Sequence, residues 1–264
     1  MAETISSAQN PFAQGLKKLG DKKHREAQRL LLAEGPKLVE EALREGLRPA
    51  QALVSAERAE ELRGQIAALE AQGAQVRICP ENVLKAVSET RTPQGVCASF
   101  GWPKPLAQGE EPALLVALDG VQDPGNVGGI WRTADAAGFG GVLFSEGCAD
   151  ATSPKVVRSA MGSAFRLPAR SCADLAAELV QLRERGYHVL VTALDGEDFF
   201  SGMPAPGEKA VLVIGSEGHG VRRTTREAAT GALRLPMRGG AESLNANVAA
   251  GIMLYALSFG LRPR

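Results

Sequence analysis

The sequence predicts an α/β protein in two parts: a small amino-terminal α/β domain, then a larger domain built on a parallel sheet. Three observations carry this. Short apolar runs alternate with helical periodicity along almost all of the 264 residues, the pattern of strands joined by helical crossovers. The runs LLVAL (114–118) and VLVIG (211–215) are continuously apolar, as strands buried on both faces are. Between the two parts lies GWPKPLAQGEEP (101–112), with three prolines, two glycines and three charges. That is turn-rich linker chemistry with nothing to bury, and it sets the domains at 1–104 and 105–264.

In the first part, Asn10–Arg29 reads as a basic helix, followed by an apolar run at Leu30–Ala33 and a helix over Pro36–Glu45. Ala50–Ser55 reads as a strand, and Arg58–Gln72 as a helix with Leu62, Ile66 and Leu69 on one face. Val76–Cys79 is strand-like, Pro80 suits the start of a helix over Glu81–Ser88, and Val96–Phe100 closes the series. In the second part the strands are Ala113–Leu118, Val142–Phe144, His188–Ala193, Ala210–Ile214 and Leu233–Leu235. The helices are Val127–Ala137, Pro154–Ala164, Ala173–Arg185, Arg222–Ala229 and Leu244–Phe259. The last helix is apolar nearly all round. Its asparagines and serines argue for a buried helix rather than a membrane span.

Composition narrows the function classes. Thirty Lys+Arg balance thirty Asp+Glu, which excludes a generally basic nucleic-acid coat but leaves local patches open. Cys79, Cys97, Cys148 and Cys172 are far apart, with no CxxC, so neither a zinc ribbon nor a thiol-redox motif is indicated. The histidines have no metal-ligand spacing. The opening MAETISSAQNPF has no apolar signal core, and free thiols without a signal point to the cytoplasm.

Three segments that follow strand-like runs carry the chemistry. The first is LDGVQDPGNVGGIWRTADAAGFG (118–140), a strand end, a glycine-rich turn and a helix. Asn126 sits in the turn or caps the helix, and Arg132 lies about a turn and a half further on. A capped helix with a solvated arginine accounts for this segment equally well. The second is VLVIGSEGHGV (211–221), where Gly215, Gly218 and Gly220 allow backbone to approach a ligand closely. Its spacing is neither the dinucleotide fingerprint GxGxxG nor the nucleophile elbow GxSxG. The third is LRLPMRGGAESLNANVAAGIMLYAL (233–257), in which Ser243 is a candidate helix N-cap. Asp195, Glu197 and Asp198 read as a solvated loop, and Trp131 as packing. The basic run Lys17–Arg29 fits a solvated helix or an RNA contact.

Taken together, the three segments resemble the three motifs of the SpoU/TrmH family of RNA ribose 2′-O-methyltransferases, in the SPOUT superfamily. DPGNVGGIWRTADAAGFG resembles the first motif, IGSEGHG the second, and LPM followed by SLNANVA the third. NPFAQGLKKLGDKKHR and AEGPKLVEEAL resemble the amino-terminal substrate-binding domain of many members, so the likeness spans nearly the whole chain.

The resemblance implies a parallel sheet closed by a deep trefoil knot, S-adenosylmethionine as methyl donor with no metal, and a homodimer. Carried over by position, Gly215, Leu235 and Leu244 line the donor, with Ile214, Met237 and Ser243 beside them. Asn126, Arg132, Glu217 and Asn245 match the polar active-site positions. Lys17, Lys18, Lys22, Lys23 and Arg25 are the expected RNA contacts. Ribosomal RNA is favoured over transfer RNA by the two-domain layout. Two positions depart from the family pattern: Asn247, where many members have a small residue, and Trp131, where an aliphatic residue is common. Two other classes are weighed, a non-catalytic RNA-binding or ribosome-assembly factor on the same fold and a nucleotide-dependent oxidoreductase. The intact polar set argues against the first, and the missing GxGxxG against the second.

Overall fold

The structure, a computed structural model, describes residues 3–205 and 207–261. The chain divides into two compact units, one of residues 1–104 with 150–166, the other of 105–149 with 167–264.

The first unit opens with β1 (Glu3–Thr4), α1 (Pro11–Lys18) and α2 (Lys22–Gln28). The single helix expected over 10–29 is thus two helices. Asn10 and Asp21 each cap a start, their side chains accepting from the backbone N–H of Phe12 and Lys23, so a second set of free helix donors is satisfied at Asp21. There follow β2 (Leu30–Glu34), α3 (Pro36–Arg44), β3 (Pro49–Ser55), α4 (Arg63–Ala71), β4 (Gln75–Cys79), α5 (Glu81–Val87) and β5 (Val96–Gly101). Among the described residues the strands form one mixed sheet in the order β1-β4-β3-β5-β2, with β5 antiparallel to both neighbours. Leu16, Leu19, Leu32, Leu53 and Leu84 fill its core. Burial pushes the Cys79 thiol up to about 12 and the Cys97 thiol well above its ordinary value, so both stay protonated and unreactive at neutral pH.

The second unit begins with β6 (Leu114–Asp119), α6 (Pro124–Ala136) and β7 (Gly141–Ser145). The chain then enters the first unit with α7 (Pro154–Ala160) and α8 (Ser163–Arg166). One helix is expected over 154–164. It breaks at Met161, whose φ of +54° lies in the left-handed region that a side chain disfavours. Back in the second unit come β8 (Ala169–Cys172), α9 (Leu175–Glu184), β9 (His188–Asp198), α10 (Phe199–Gly202), β10 (Ala210–Gly215), α11 (Arg223–Glu227), β11 (Gly231–Arg234) and α12 (Ala246–Phe259).

Their sheet runs β11-β9-β10-β6-β7-β8 and every pair is parallel. From β6 the chain builds to one side through β7 and β8, then to the other through β9, β10 and β11. The strand order therefore reverses between β6 and β10. In an open α/β sheet this reversal leaves a crevice at the carboxyl ends of the two strands, where ligands bind. Here those ends are level, with Leu118 opposite Ile214 and Asp119 opposite Gly215. The carboxylates Asp195, Glu197 and Asp198 belong to strand rather than loop. After a bulge, β9 continues as Glu197 and Asp198 pair with Leu233 and Arg234.

The 150–166 segment is held to the first unit by a buried ion pair. Arg25 is only 2% exposed. Its guanidinium donates to Asp150 at 2.5 Å, to Thr152 Oγ1 at 3.2 Å, and to the carbonyls of Leu19 and Gly20 at 2.7 Å each. Arg25 therefore leaves the set of expected RNA contacts, because its donors are spent inside the protein. For Asp150, burial works to raise the pKa. The Thr152 and Arg25 hydrogen bonds and the Arg25 charge outweigh it and hold the carboxyl below its ordinary 3.8. A depressed carboxyl stabilises the fold above its unfolded pKa, and that contribution is lost as pH falls through the folded value. Arg25→Met strands Asp150 without its cation and is expected to cost about 3 kcal/mol. Thermal unfolding should show the full gap from wild type at pH 7, narrowing below pH 4. An unchanged melting temperature at pH 7 would contradict this role.

Candidate active site

Three segments meet at the β6/β10 crevice. The first is the start of α6. Asp123 caps it, its carboxylate accepting from Asn126 N–H at 2.9 Å, with Pro124 in the first turn. The expectation that Asn126 sits in the turn or caps the helix is corrected on this point. Asn126 lies in the first helical turn, which leaves its amide free to reach outward.

The second segment is the loop after β10. Ser216 and Gly220 exchange two backbone hydrogen bonds, Ser216 N–H to Gly220 O at 3.0 Å and Gly220 N–H to Ser216 O at 2.8 Å. The loop so closed presents Glu217 at its exposed tip. Gly220 has a φ of +65°. A Cβ on Gly215 would overlap the backbone of Gly220 and Val221. Glycine is required at 215 because the loop folds back onto it.

The third segment is the start of α12. The expected N-cap, Ser243, does not cap it. Asn245 does, its Oδ1 accepting from the N–H groups of Asn247 at 3.0 Å and Val248 at 3.4 Å. The same side chain donates from Nδ2 to Asn126 Oδ1 at 3.2 Å. Asn126 in turn donates from Nδ2 to Glu217. Asn126, Glu217 and Asn245, predicted separately from three motifs, are joined by hydrogen bonds running carboxylate, amide, amide.

Arg132 stands apart from this chain. It is exposed, on a different face of α6, and has no hydrogen bond or ion pair among the described residues. Six residues along a helix place it about 9 Å further up the axis and two-thirds of a turn round from Asn126.

The expected donor positions lie on two neighbouring stretches. Ile214 and Gly215 end β10. Leu235, Met237, Ser243 and Leu244 lie in the segment between β11 and α12. Residues 235–244 make no backbone hydrogen bond among the described residues, so their peptide groups are free to serve a ligand. Leu235 and Met237 are partly exposed and Leu244 is 38% exposed. Free peptide N–H and C=O groups beside apolar side chains, next to a glycine-closed loop, suit an adenosine-bearing sulfonium bound mainly through backbone. Among the described residues no group of three metal-ligating side chains comes together.

The sequence reading passed over Asp119. It is 1% exposed and accepts from Arg222 N–H at 2.8 Å and Arg222 Nε at 2.6 Å. This pair fastens the far end of the 216–221 loop to the end of β6. The signal was present: an aspartate closing the buried run LLVAL must find a partner, and Arg222 directly follows the second motif. Of the two departures, Trp131 is fully satisfied, while Asn247 fits the space beside α6 with its Oδ1 buried and without a hydrogen-bond partner among the described residues. Trp131 is 4% exposed, packs edge-on to Phe144 at 5.3 Å and donates from its indole to Leu167 O at 3.1 Å. Asn247 lies flat on Gly129, where any side chain on α6 would collide with it.

α12 is not buried all round. Ala250, Met253, Leu254 and Leu257 face the interior, but Val248, Ile252, Tyr255 and Phe259 form an exposed apolar stripe. No helix among the described residues is long and apolar enough to cross a membrane. In the first unit, Lys17, Lys18, Lys22 and Lys23 are exposed, and Lys22 pairs with Glu26 at 3.7 Å.

Residues 113–255 match the SpoU rRNA Methylase family, and residues 10–98 match the MRM3-like substrate binding domain. The chain belongs to the SpoU rRNA methylase family. It is 38% identical, over 96% of its own length and 98% of the relative's, to the 23S rRNA (guanosine(2553)-2′-O)-methyltransferase RlmP of Bacillus subtilis. It is 36% identical, over 66% of this chain and 70% of the relative, to the 23S rRNA (guanosine-2′-O-)-methyltransferase RlmB of Pseudomonas putida. Its fold matches an AdoMet-bound rRNA methyltransferase from Sinorhizobium meliloti with a TM-score of 0.85 at 33% identity, covering 99% of each chain.

The Gly215 geometry gives a direct test. Gly215→Val should open the 216–221 loop and abolish S-adenosylmethionine binding in calorimetry, while the protein keeps its circular dichroism spectrum. Donor affinity within a few-fold of wild type would show that loop closure on Gly215 is not needed.

Proposed function

We propose that this chain transfers a methyl group from S-adenosylmethionine to a ribose 2′-hydroxyl of ribosomal RNA, with 23S RNA as the substrate class. The observation that carries the reading is the Asn126–Glu217–Asn245 hydrogen-bond chain at the β6/β10 switch point. It stands beside a loop of free peptide groups in a chain of the SpoU family. The 23S substrate class is supported by RlmP, which aligns over nearly the whole of both chains. Such an enzyme works where ribosomes are assembled, in the cytoplasm.

S-adenosylmethionine, held by Gly215, Leu235 and Leu244 with Ile214, Met237 and Ser243 beside them, supplies an electrophilic methyl group on a sulfonium. The protein must align a weak hydroxyl nucleophile and manage its proton. Arginine is a poor base, since its pKa is above ~12 and its guanidinium has no spare lone pair. Arg132, exposed and unpaired among the described residues, serves instead as a fork for the target phosphate and as a stabiliser of the charge developing on the ribose oxygen. Asn126 and Asn245 fix the orientation of Glu217, which positions the ribose. The proton leaves through a phosphate oxygen or water.

Three further assignments belong to this reading. The segment from β11 to α12 forms the family's trefoil knot. This is supported by the chain's return from the sheet edge at β11 to α12, which packs against α6 and β10 near the middle. The enzyme is a homodimer, supported by the Val248–Ile252–Tyr255–Phe259 stripe. Apolar residues spaced four, three and four apart lie on one helix face and call for cover. A monomer by light scattering at micromolar concentration that still methylates RNA would contradict it. The first unit binds the RNA, with Lys17, Lys18, Lys22 and Lys23 meeting phosphates.

Arg132→Ala separates binding from chemistry. It should leave S-adenosylmethionine affinity unchanged, because Arg132 makes no hydrogen bond or ion pair with the 214–215 and 235–244 stretches among the described residues. Methyl transfer should fall ~10²–10³-fold, the usual effect of losing one preorganised charge-stabilising group. Turnover within a few-fold of wild type would place the catalytic charge elsewhere.

A further inference from the structure

At one end of the first unit's sheet, three strand ends meet. Because β5 runs antiparallel to β2 on one side and β3 on the other, the residues that leave β5 lie beside those that enter β2 and β3. Trp102 N–H donates to Arg29 O at 3.2 Å, and Gly101 N–H donates to Arg48 O at 2.9 Å. One tryptophan is thereby set between two arginines.

The three residues are not arranged as a solvated surface would be. The Trp102 indole N–H donates to Leu30 O at 3.0 Å, which fixes the ring. The Arg29 guanidinium lies over that ring, 4.1 Å from its centre, within cation–π range. Arg29 holds this position with a φ of +54°, a conformation that is costly for any residue with a Cβ. Arg29 and Arg48 are exposed and have no carboxylate partner among the described residues. Arg91 shares this, whereas Arg25, Arg44, Arg58, Arg63, Arg77, Arg158 and Arg166 in the same unit each face one.

We propose that Arg29, Trp102 and Arg48 form a platform for an unpaired nucleotide of the RNA substrate. The base stacks on the Arg29–Trp102 pair and a neighbouring phosphate meets Arg48. Unpaired bases are recognised by stacking on aromatic rings and on arginine planes, and here both are already assembled. An acidic peptide would engage the two arginines and leave no role for a fixed ring between them. The proposal rests on the reading of this chain as an RNA methyltransferase and adds a second contact region to the lysines of α1 and α2.

The test uses the full-length protein, a short single-stranded RNA oligonucleotide, and the same sequence as a duplex. The chain has two tryptophans, and Trp131 is buried, so RNA-dependent quenching of emission reports on Trp102. Single-stranded RNA should quench the wild type and bind more tightly than the duplex. Trp102→Phe, which keeps a ring, should lose the quench yet hold affinity within a few-fold. Trp102→Ala should lower affinity roughly ten-fold. Arg48→Gln should reduce the slope of log affinity against log salt by about 0.7, one phosphate's share on a single strand. S-adenosylmethionine affinity should be unchanged in all three variants. Quenching that persists in Trp102→Phe, wild-type affinity in Trp102→Ala, or preference for the duplex would overturn the platform. A Lys17→Gln/Lys18→Gln variant separates the two levels. If it weakens RNA binding while Trp102→Ala does not, the platform is wrong and the first unit still reads RNA. If neither variant weakens binding, both assignments fall.

Discussion

The candidate active-site edge of the second unit depends on one side-chain amide. Asn126 donates to Glu217 and accepts from Asn245, and those residues come from segments about ninety and one hundred and twenty positions further along the chain. Asparagine suits this place because its amide offers a donor and an acceptor at once. Aspartate would set a second carboxylate against Glu217, and a leucine of similar size would leave Asn245 Nδ2 and the Glu217 carboxylate without this partner. Asn245 passes the constraint on by capping α12 with its own oxygen. The position of the last helix, and with it the 235–245 segment, is therefore tied to the first turn of α6.

A second constraint holds the platform on which that amide works. The carboxylate of Asp119, almost fully buried at the end of β6, takes two hydrogen bonds from Arg222. Gly215 sits opposite Asp119 across the β6/β10 pair and lets the intervening loop close. Sheet register, loop closure and the ion pair together set where Glu217 stands. None of these groups has to touch substrate to matter, since displacement of reacting groups by about 1 Å is enough to cost orders of magnitude in rate.

Much of this was legible in the sequence, for reasons that are physical. Continuous apolar runs at 114–118 and 211–215 gave the two central strands. The polar and glycine-rich residues directly after them lie at one sheet edge, where Asn126 and Glu217, singled out by the family resemblance, meet. What was hidden depended on distant partners. Arg25 looked like one more cation in a basic helix, and only the arrival of Asp150 from 125 positions further along the chain turns it inward. Ser243 and Asn245 are both good caps, and the contact with Asn126, invisible to local pattern, decides between them. That α12 is apolar nearly all round was legible, but which face turns to the interior and which forms the Val248–Ile252–Tyr255–Phe259 stripe was not, because periodicity reports that a face is apolar and not what covers it.

The central claim is that the ribose oxygen is the methyl acceptor. The most direct measurement incubates the purified protein with radiolabelled S-adenosylmethionine and 23S RNA lacking its own modifications, digests the RNA to nucleosides, and locates the label. This account predicts label in one 2′-O-methylated nucleoside, incorporated ~10²–10³-fold more slowly when Arg132 is replaced by alanine. Label on a base, or no transfer by a protein that binds both donor and RNA, would contradict it.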